Sequence, residues 1–158
     1  MKNPFRLELS TGIDIDASAV EVWNVLVGFE RYPEWTGIFA FTIGHTRPGD
    51  RLKVRISSGG SRYATFEPVL LEARKPAEFR WKGRLLLRGI FDGEHIFKID
   101  ERDGGGVHFT HAELFGGFLV PWLRRELDTN TRRGFERFNR DIKTRSEETA
   151  RRGRPRQA

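Results

Sequence analysis

The chain has no cysteine in 158 residues. Disulfides, thiolate nucleophiles and cysteine-ligated metals are therefore excluded. Methionine occurs once and tyrosine twice, against 13 phenylalanines and 4 tryptophans. The interior is thus expected to be built from rigid aromatic plates, not flexible fillers. No uncharged apolar run approaches the roughly 20 residues of a membrane-crossing helix. The amino terminus, Met1-Lys-Asn-Pro-Phe-Arg6, leads into alternating residues without an apolar core segment, so no signal peptide is read and a soluble cytoplasmic protein is expected. No phosphate-cradling glycine loop is read; Gly104-Gly105-Gly106 follows a strand but opens another strand and reads as a turn. No nucleophile-elbow pattern surrounds any serine, which argues against a hydrolytic triad.

Charge is also missing from most of the chain. The net charge is +6, but residues 118–158 carry 12 Lys/Arg against 6 Asp/Glu, leaving the first 117 residues neutral. The basic character belongs to the carboxy-terminal segment, and a basic nucleic-acid-binding body is unsupported. The tail Arg152-Gly153-Arg154-Pro155 resembles the core of an AT-hook, whose arginines enter the minor groove. One copy is a weak signal, and nucleic acid is not expected as a partner.

Periodicity supplies the elements. Leu7–Asp16 alternates and predicts a strand, and Ser18 and Glu21 have capping-box spacing ahead of a helix bearing Val22, Trp23, Leu26 and Phe29. Residues 30–35, with Pro33, predict a second short helix. Strands are predicted over 39–45, 52–56, 63–73, 78–86, 91–101 and 107–115, seven in all with the first. From Pro121 the period becomes helical, with Trp122, Leu123, Leu127, Thr131, Phe135, Phe138 and Ile142 on one stripe. The stripe then stops, so residues 1–145 are expected to form one domain and 146–158 a frayed basic tail whose deletion leaves folding unchanged. The fold class is α+β: a curved antiparallel sheet gripping a long carboxy-terminal helix.

Alternation also assigns strand faces. Phe91, Gly93, His95, Phe97 and Ile99 share one parity; Val107, Phe109, His111, Glu113 and Phe115 share the matching one. A three-residue loop at Asp103-Gly104-Gly105 pairs His95 with Glu113, Phe97 with His111 and Asp100 with His108; a five-residue loop would shift every pair. Two histidines and a glutamate thus share an otherwise aromatic inner face. Three readings stay open: a satisfied buried pair that holds the hairpin or orients a ligand, acid–base catalysis in which Glu113 orients His95 or His111, and a metal site of His95, His111 and Glu113. No metal or other cofactor is expected.

Several of these residues occur in an order that resembles the START/pollen-allergen (SRPBCC) superfamily, in its polyketide cyclase/dehydrase-like branch. They are Ile13-Asp-Ile-Asp-Ala-Ser18 before Val22-Trp23, Tyr32-Pro33-Glu34-Trp35, Pro48-Gly49-Asp50-Arg51-Leu52, Phe79-Arg80-Trp81, Gly93-Glu94-His95-Ile96-Phe97 and Thr110–Gly117. The likeness covers about residues 7–143. It implies a helix-grip fold around a cavity for a small hydrophobic, aromatic or lipid-like ligand, in a monomer or homodimer. The expected lining is Trp35, Phe66, Phe79, Trp81, Phe91, His95, Phe97, Phe109, His111, Glu113, Phe115 and Trp122; several of these also suit plain packing. A cyclase or dehydratase using His95, His111 and Glu113 is the enzymatic alternative, and a chaperone-cofactor-like interaction module the third. The superfamily hosts all three roles, so function must come from the cavity.

Overall fold

A computed structural model describes residues 3–59, 61–85 and 87–154. Strand β1 (Arg6–Ile15) leads into helix α1 (Ala19–Leu26). Ser18 caps α1 reciprocally with Glu21, as the spacing predicts. A 3-10 helix (Phe29–Glu34) follows. Strands β2 (Phe39–Ile43), β3 (Lys53–Gly59), β4 (Arg62–Phe66), β5 (Val69–Arg74), β6 (Glu78–Leu85), β7 (Phe91–Glu101) and β8 (Val107–Gly116) come next. Helices α2 (Val120–Glu126) and α3 (Arg132–Gly153) close the chain. The strands form an antiparallel five-stranded sheet, β1-β8-β7-β6-β5, and a three-stranded sheet, β2-β3-β4.

The strand expected over 63–73 is therefore two strands in different sheets. Pro68 has no N–H to donate and interrupts the ladder. Its carbonyl accepts from the Leu52 amide at 2.9 Å, and the Leu70 amide donates to the Asp50 carbonyl at 2.9 Å. This crossing seams the two sheets together and bends the whole around α3. Position 60 and position 86, the end of the strand predicted over 78–86, lie outside the described residues.

Helix α3 lies across the concave face, held by β1, β8 and α1. Its buried residues are Phe135, Phe138, Asn139, Ile142, Ser146 and Ala150, at steps of three and four. The buried stripe thus continues past Ile142 and only its chemistry changes, from large apolar to small side chains. Ala150 is 3% exposed within the main core. Glu147 accepts from the Asp16 amide at 3.0 Å and from Lys143 Nζ at 2.6 Å. The segment expected to fray from 146 is therefore helical through Gly153 and packed against the domain as far as Ala150. Arg152 and Gly153 of the AT-hook-like stretch belong to the last helical turn; Pro155 lies outside the described residues.

Between α2 and α3, Leu127–Thr131 forms a π turn. Its extra residue advances the helix face. Along α2 itself, Val120 and the capping Leu127 are buried and Leu123 is packed against them, at steps of three and four, while Trp122 falls outside this stripe and is 66% exposed. Trp122 rests on Phe118, which stacks on Phe5, all on the surface. The expected role of Trp122 in closing the cavity is not met. The corner before α2 needs Gly117: its φ is +125°, and a side chain there would overlap the Ile90 carbonyl.

Candidate functional site

The β7–β8 register agrees with the three-residue loop. His95 opposes Glu113, Phe97 opposes His111 and Ile99 opposes Phe109. Asp100 opposes His108 too, but the His108 imidazole bonds Asp14 of β1 instead, at 2.7 Å. With β6 and β1 added, inner-face residues form rows across the sheet. One row runs Phe79, Phe97, His111, Thr11; the next runs Trp81, His95, Glu113, Leu9; the third begins with Gly83 and Gly93 and ends with Phe115 and Leu7.

The glycine pair explains the cavity. Where the first two rows carry aromatic rings, Gly83 and Gly93 carry nothing, and the sheet floor is bare. A cavity of about 250 Å³ opens above them between the two sheets. Phe66, Trp81, Phe91 and Phe115 are its aromatic walls, with Val54, Ile56, Ala64 and Pro68 on the side of the smaller sheet. Arg84 and Thr131 add polar groups to the lining. Gly93 also makes room for Glu113, since a methyl group there would overlap Glu113 Oε1.

Of the expected lining, Phe66, Trp81, Phe91, His95, Glu113 and Phe115 meet at this cavity. The others do not. Phe79, Phe97 and Phe109 are fully buried in the core beyond it. His111 is sealed behind His95. Trp35 packs on Tyr32 and Phe138 and faces a different cleft. The expected lining left out Gly83, Gly93, Thr131 and, apart from Phe66, the wall from β3 and β4. A glycine pair on an inner-face parity is the signal that could have found the floor.

A continuous polar chain leaves the cavity through the aromatic core. Glu113 Oε2 lies 3.2 Å from His95 Nδ1. His95 Nε2 lies 2.6 Å from His111 Nε2. His111 Nδ1 lies 3.2 Å from Asn139 Oδ1 on α3, Asn139 Nδ2 donates to Thr11 Oγ1 at 2.9 Å, and Thr11 Oγ1 donates to the His111 carbonyl at 3.0 Å. Asn139 and Thr11 are contributors that strand alternation did not reveal. Phe135 stacks on the His111 ring at 3.8 Å between centroids.

The polarity of this chain fixes its protons. The Asn139 amide is spent on Thr11, so its oxygen accepts from His111 Nδ1–H. Burial, with the neighbouring His95 adding to it, holds His111 well below the ordinary imidazole range; hydrogen bonds to Asn139 and the Phe135 backbone offset this only in part. His111 is therefore neutral, with a bare Nε2 that accepts from His95 Nε2–H. His95 Nδ1 then faces a carboxyl oxygen, and that contact requires one proton between them. The arrangement holds one exchangeable proton at the wall of an apolar cavity.

Two imidazole nitrogens 2.6 Å apart share a hydrogen and leave no space for a cation. A zinc ion with Zn–N bonds of about 2.0–2.1 Å holds its ligand nitrogens farther apart. His95, His111 and Glu113 do not assemble into the metal site weighed from sequence, and among the described residues no group of three acidic or imidazole side chains is placed to hold a metal.

The gripped helix, the curved sheet and the internal cavity define a helix-grip protein of the SRPBCC superfamily. The chain belongs to the family described as polyketide cyclase/dehydrase and lipid transport, which it matches over residues 6–147. No curated protein matches it in sequence. Its fold is similar to that of the aromatase/cyclase Zhui from Streptomyces sp. R1128, with 15% identity, a TM-score of 0.71 and coverage of 90% of this chain and 94% of that one. It is similar to the di-domain ARO/CYC BexL from the BE-7585A biosynthetic pathway, with 14% identity, a TM-score of 0.68 and 97% of this chain covered. The chain spans about half, 52%, of BexL. Ara h 8.0201 shares the fold at 13% identity and a TM-score of 0.65, covering 94% of this chain and 99% of that one. At these identities the likeness concerns the fold. Among the described residues no helix is long and apolar enough to cross a membrane.

Proposed function

We propose that this protein binds a small, flat, mostly apolar ligand in the cavity between its sheets, with Glu113 as the polar contact. The observation that carries this reading is the bare floor at Gly83 and Gly93, beneath four aromatic walls and beside one carboxyl group. Unfilled apolar volume with few convergent polar groups suits a small-molecule site. An interaction module of the chaperone-cofactor type has no use for it.

The cavity can be filled by design. At Gly83 the nearest atom to an added Cβ is Pro68 Cβ at 3.7 Å, an ordinary contact, so a leucine projects into the void without strain. Gly83→Leu should abolish quenching of tryptophan fluorescence by 1-naphthol while leaving the thermal midpoint unchanged or raised. Equal quenching in the folded variant would refute a ligand site at this floor.

The Glu113–His95 pair favours a second reading, a cyclase or dehydratase. Aldol-type ring closure and dehydration both need a proton removed at carbon and one returned to oxygen, and a carboxyl–imidazole pair in hydrogen-bond contact can serve both steps. Glu113→Gln separates the readings. A binding site keeps naphthol affinity within a few-fold, whereas an enzyme loses turnover of an aromatic polyketone at unchanged affinity.

A further inference from the structure

A second cleft lies along the carboxy-terminal half of α3, whereas the apolar cavity meets Thr131 just before the helix begins, and its chemistry is different. Its volume is about 300 Å³. It is formed by the end of α1, the 3-10 helix and the last turns of α3. Arg145, Thr149 and Arg152 reach it from α3, at steps of four and three along one helix face; Arg31 and Trp35 reach it from the chain opposite, and Asn24 from α1. The docking of α3 beyond residue 145 is what completes it.

Three guanidinium groups share this cleft, and one carboxylate is bonded to them. Glu34 accepts from Arg31 Nε and Nη2 at 3.2 and 3.1 Å and also from Arg145. Glu30 stands near Arg31 without a hydrogen bond to it. Arg145 is held with its side chain only 18% exposed. Arg152 makes no hydrogen bond or ion pair among the described residues. A guanidinium carries five donors, so donors on all three arginines remain unspent around a concave space. A solvated arginine at a helix carboxy terminus accounts for Arg152 alone. It does not account for a half-enclosed cleft that converges on two further arginines, an indole and two neutral polar side chains.

We infer that this cleft is a binding site for a phosphate-bearing small molecule, its phosphate held by Arg145, Arg152 and Arg31 and its remaining body lying against Trp35. Guanidinium forks match phosphate oxygens in pairs. Asn24 supplies a further amide group at the rim, while the Thr149 hydroxyl donates to the Arg145 carbonyl at 2.9 Å. Phosphate of this kind is carried by soluble phosphate esters and by phospholipid headgroups alike.

The test is calorimetric titration of the full chain at 150 mM NaCl with adenosine monophosphate, with inorganic pyrophosphate and with vesicles containing phosphatidic acid. Saturable binding of either soluble probe at one site, weakened at least about tenfold by Arg152→Gln and by Arg145→Gln, supports the inference. Binding confined to the vesicles, with the same loss in both variants, supports it with a headgroup as the source of the phosphate. Arg152 makes no contact that holds the fold, so Arg152→Gln should keep wild-type quenching by 1-naphthol in the apolar cavity. Absence of binding to all three probes, or equal binding by wild type and Arg152→Gln, would overturn it. Tight binding to duplex DNA with no saturable binding of the small probes would overturn it as well.

Discussion

His111 makes acid stability measurable from a single side chain. It is fully buried, stacked on Phe135 and bonded at both ring nitrogens, and burial holds its pKa well below the ordinary value near 6.5. The unfolded chain takes up that proton as pH falls through about 6.5, while the folded chain does not. A depressed histidine pKa therefore stabilises the fold above that pH and costs stability below it. With one proton of difference the slope is about 1.4 kcal/mol per pH unit, and integration from neutrality to pH 5 gives about 2 kcal/mol. Carboxylates with depressed pKa values, such as Glu34 and Glu78, also contribute in acid. Their effect cancels when wild type is compared with His111→Gln at two pH values. Urea unfolding at pH 7 and pH 5 should show the wild type losing about 2 kcal/mol more than the variant over that interval. Equal losses would refute a neutral His111, and with it the proton count assigned to Glu113 and His95. A proton NMR titration gives the same answer independently, because the His111 ring should titrate well below an ordinary imidazole.

Truncation after Arg145 should cost about 2–4 kcal/mol, since it exposes the core around Ala150 and removes the Glu147 carboxylate from the Asp16 amide; a thermal melt of the shortened chain checks this. Phe138→Ala should cost about 3–5 kcal/mol in chemical unfolding, because the ring is fully buried among Phe39, Phe97, Trp35 and Tyr32. Asn139→Leu leaves the His111 Nδ1–H and the Thr11 hydroxyl without their partner, at about 1–3 kcal/mol. In that variant nitrogen NMR of the His111 ring should report a mixture of tautomers where the wild type reports one.

Much of this fold can be read from alternation, because a strand with one buried face repeats every second residue. The β7–β8 register needed only that parity and a glycine-rich turn. What escaped is instructive in kind. The end of α3 looked disordered because its buried positions are Ser146 and Ala150, and small residues register as polar or neutral in a hydrophobic pattern although they permit close helix packing. Trp122 looked buried because it sits next to Leu123 in an apolar cluster, but along α2 the packed stripe runs Val120, Leu123, Leu127 at steps of three and four, and Trp122 falls outside it. Trp35 and Phe66 carried equal weight as aromatics near a cavity. Which cavity each meets depends on how two sheets and two helices come together, and no local pattern encodes that.

The same distinction separates the two histidines. From sequence they are equivalent inner-face residues two rungs apart on neighbouring strands. In the structure only His95 borders the cavity, while His111 faces the helix. His111 is tied to Asn139 of α3 and through it to Thr11 of β1, so the contact between helix and sheet decides which nitrogen of His111 carries hydrogen. That choice passes through one 2.6 Å hydrogen bond to His95 and emerges as a proton shared with Glu113. The polar group offered to a ligand is thus set by the grip of the sheet on the helix. His111 lies too deep to reach the cavity; on the binding function proposed above its role is to hold His95 in one orientation and one tautomer, which leaves Glu113 as the group offered to the ligand.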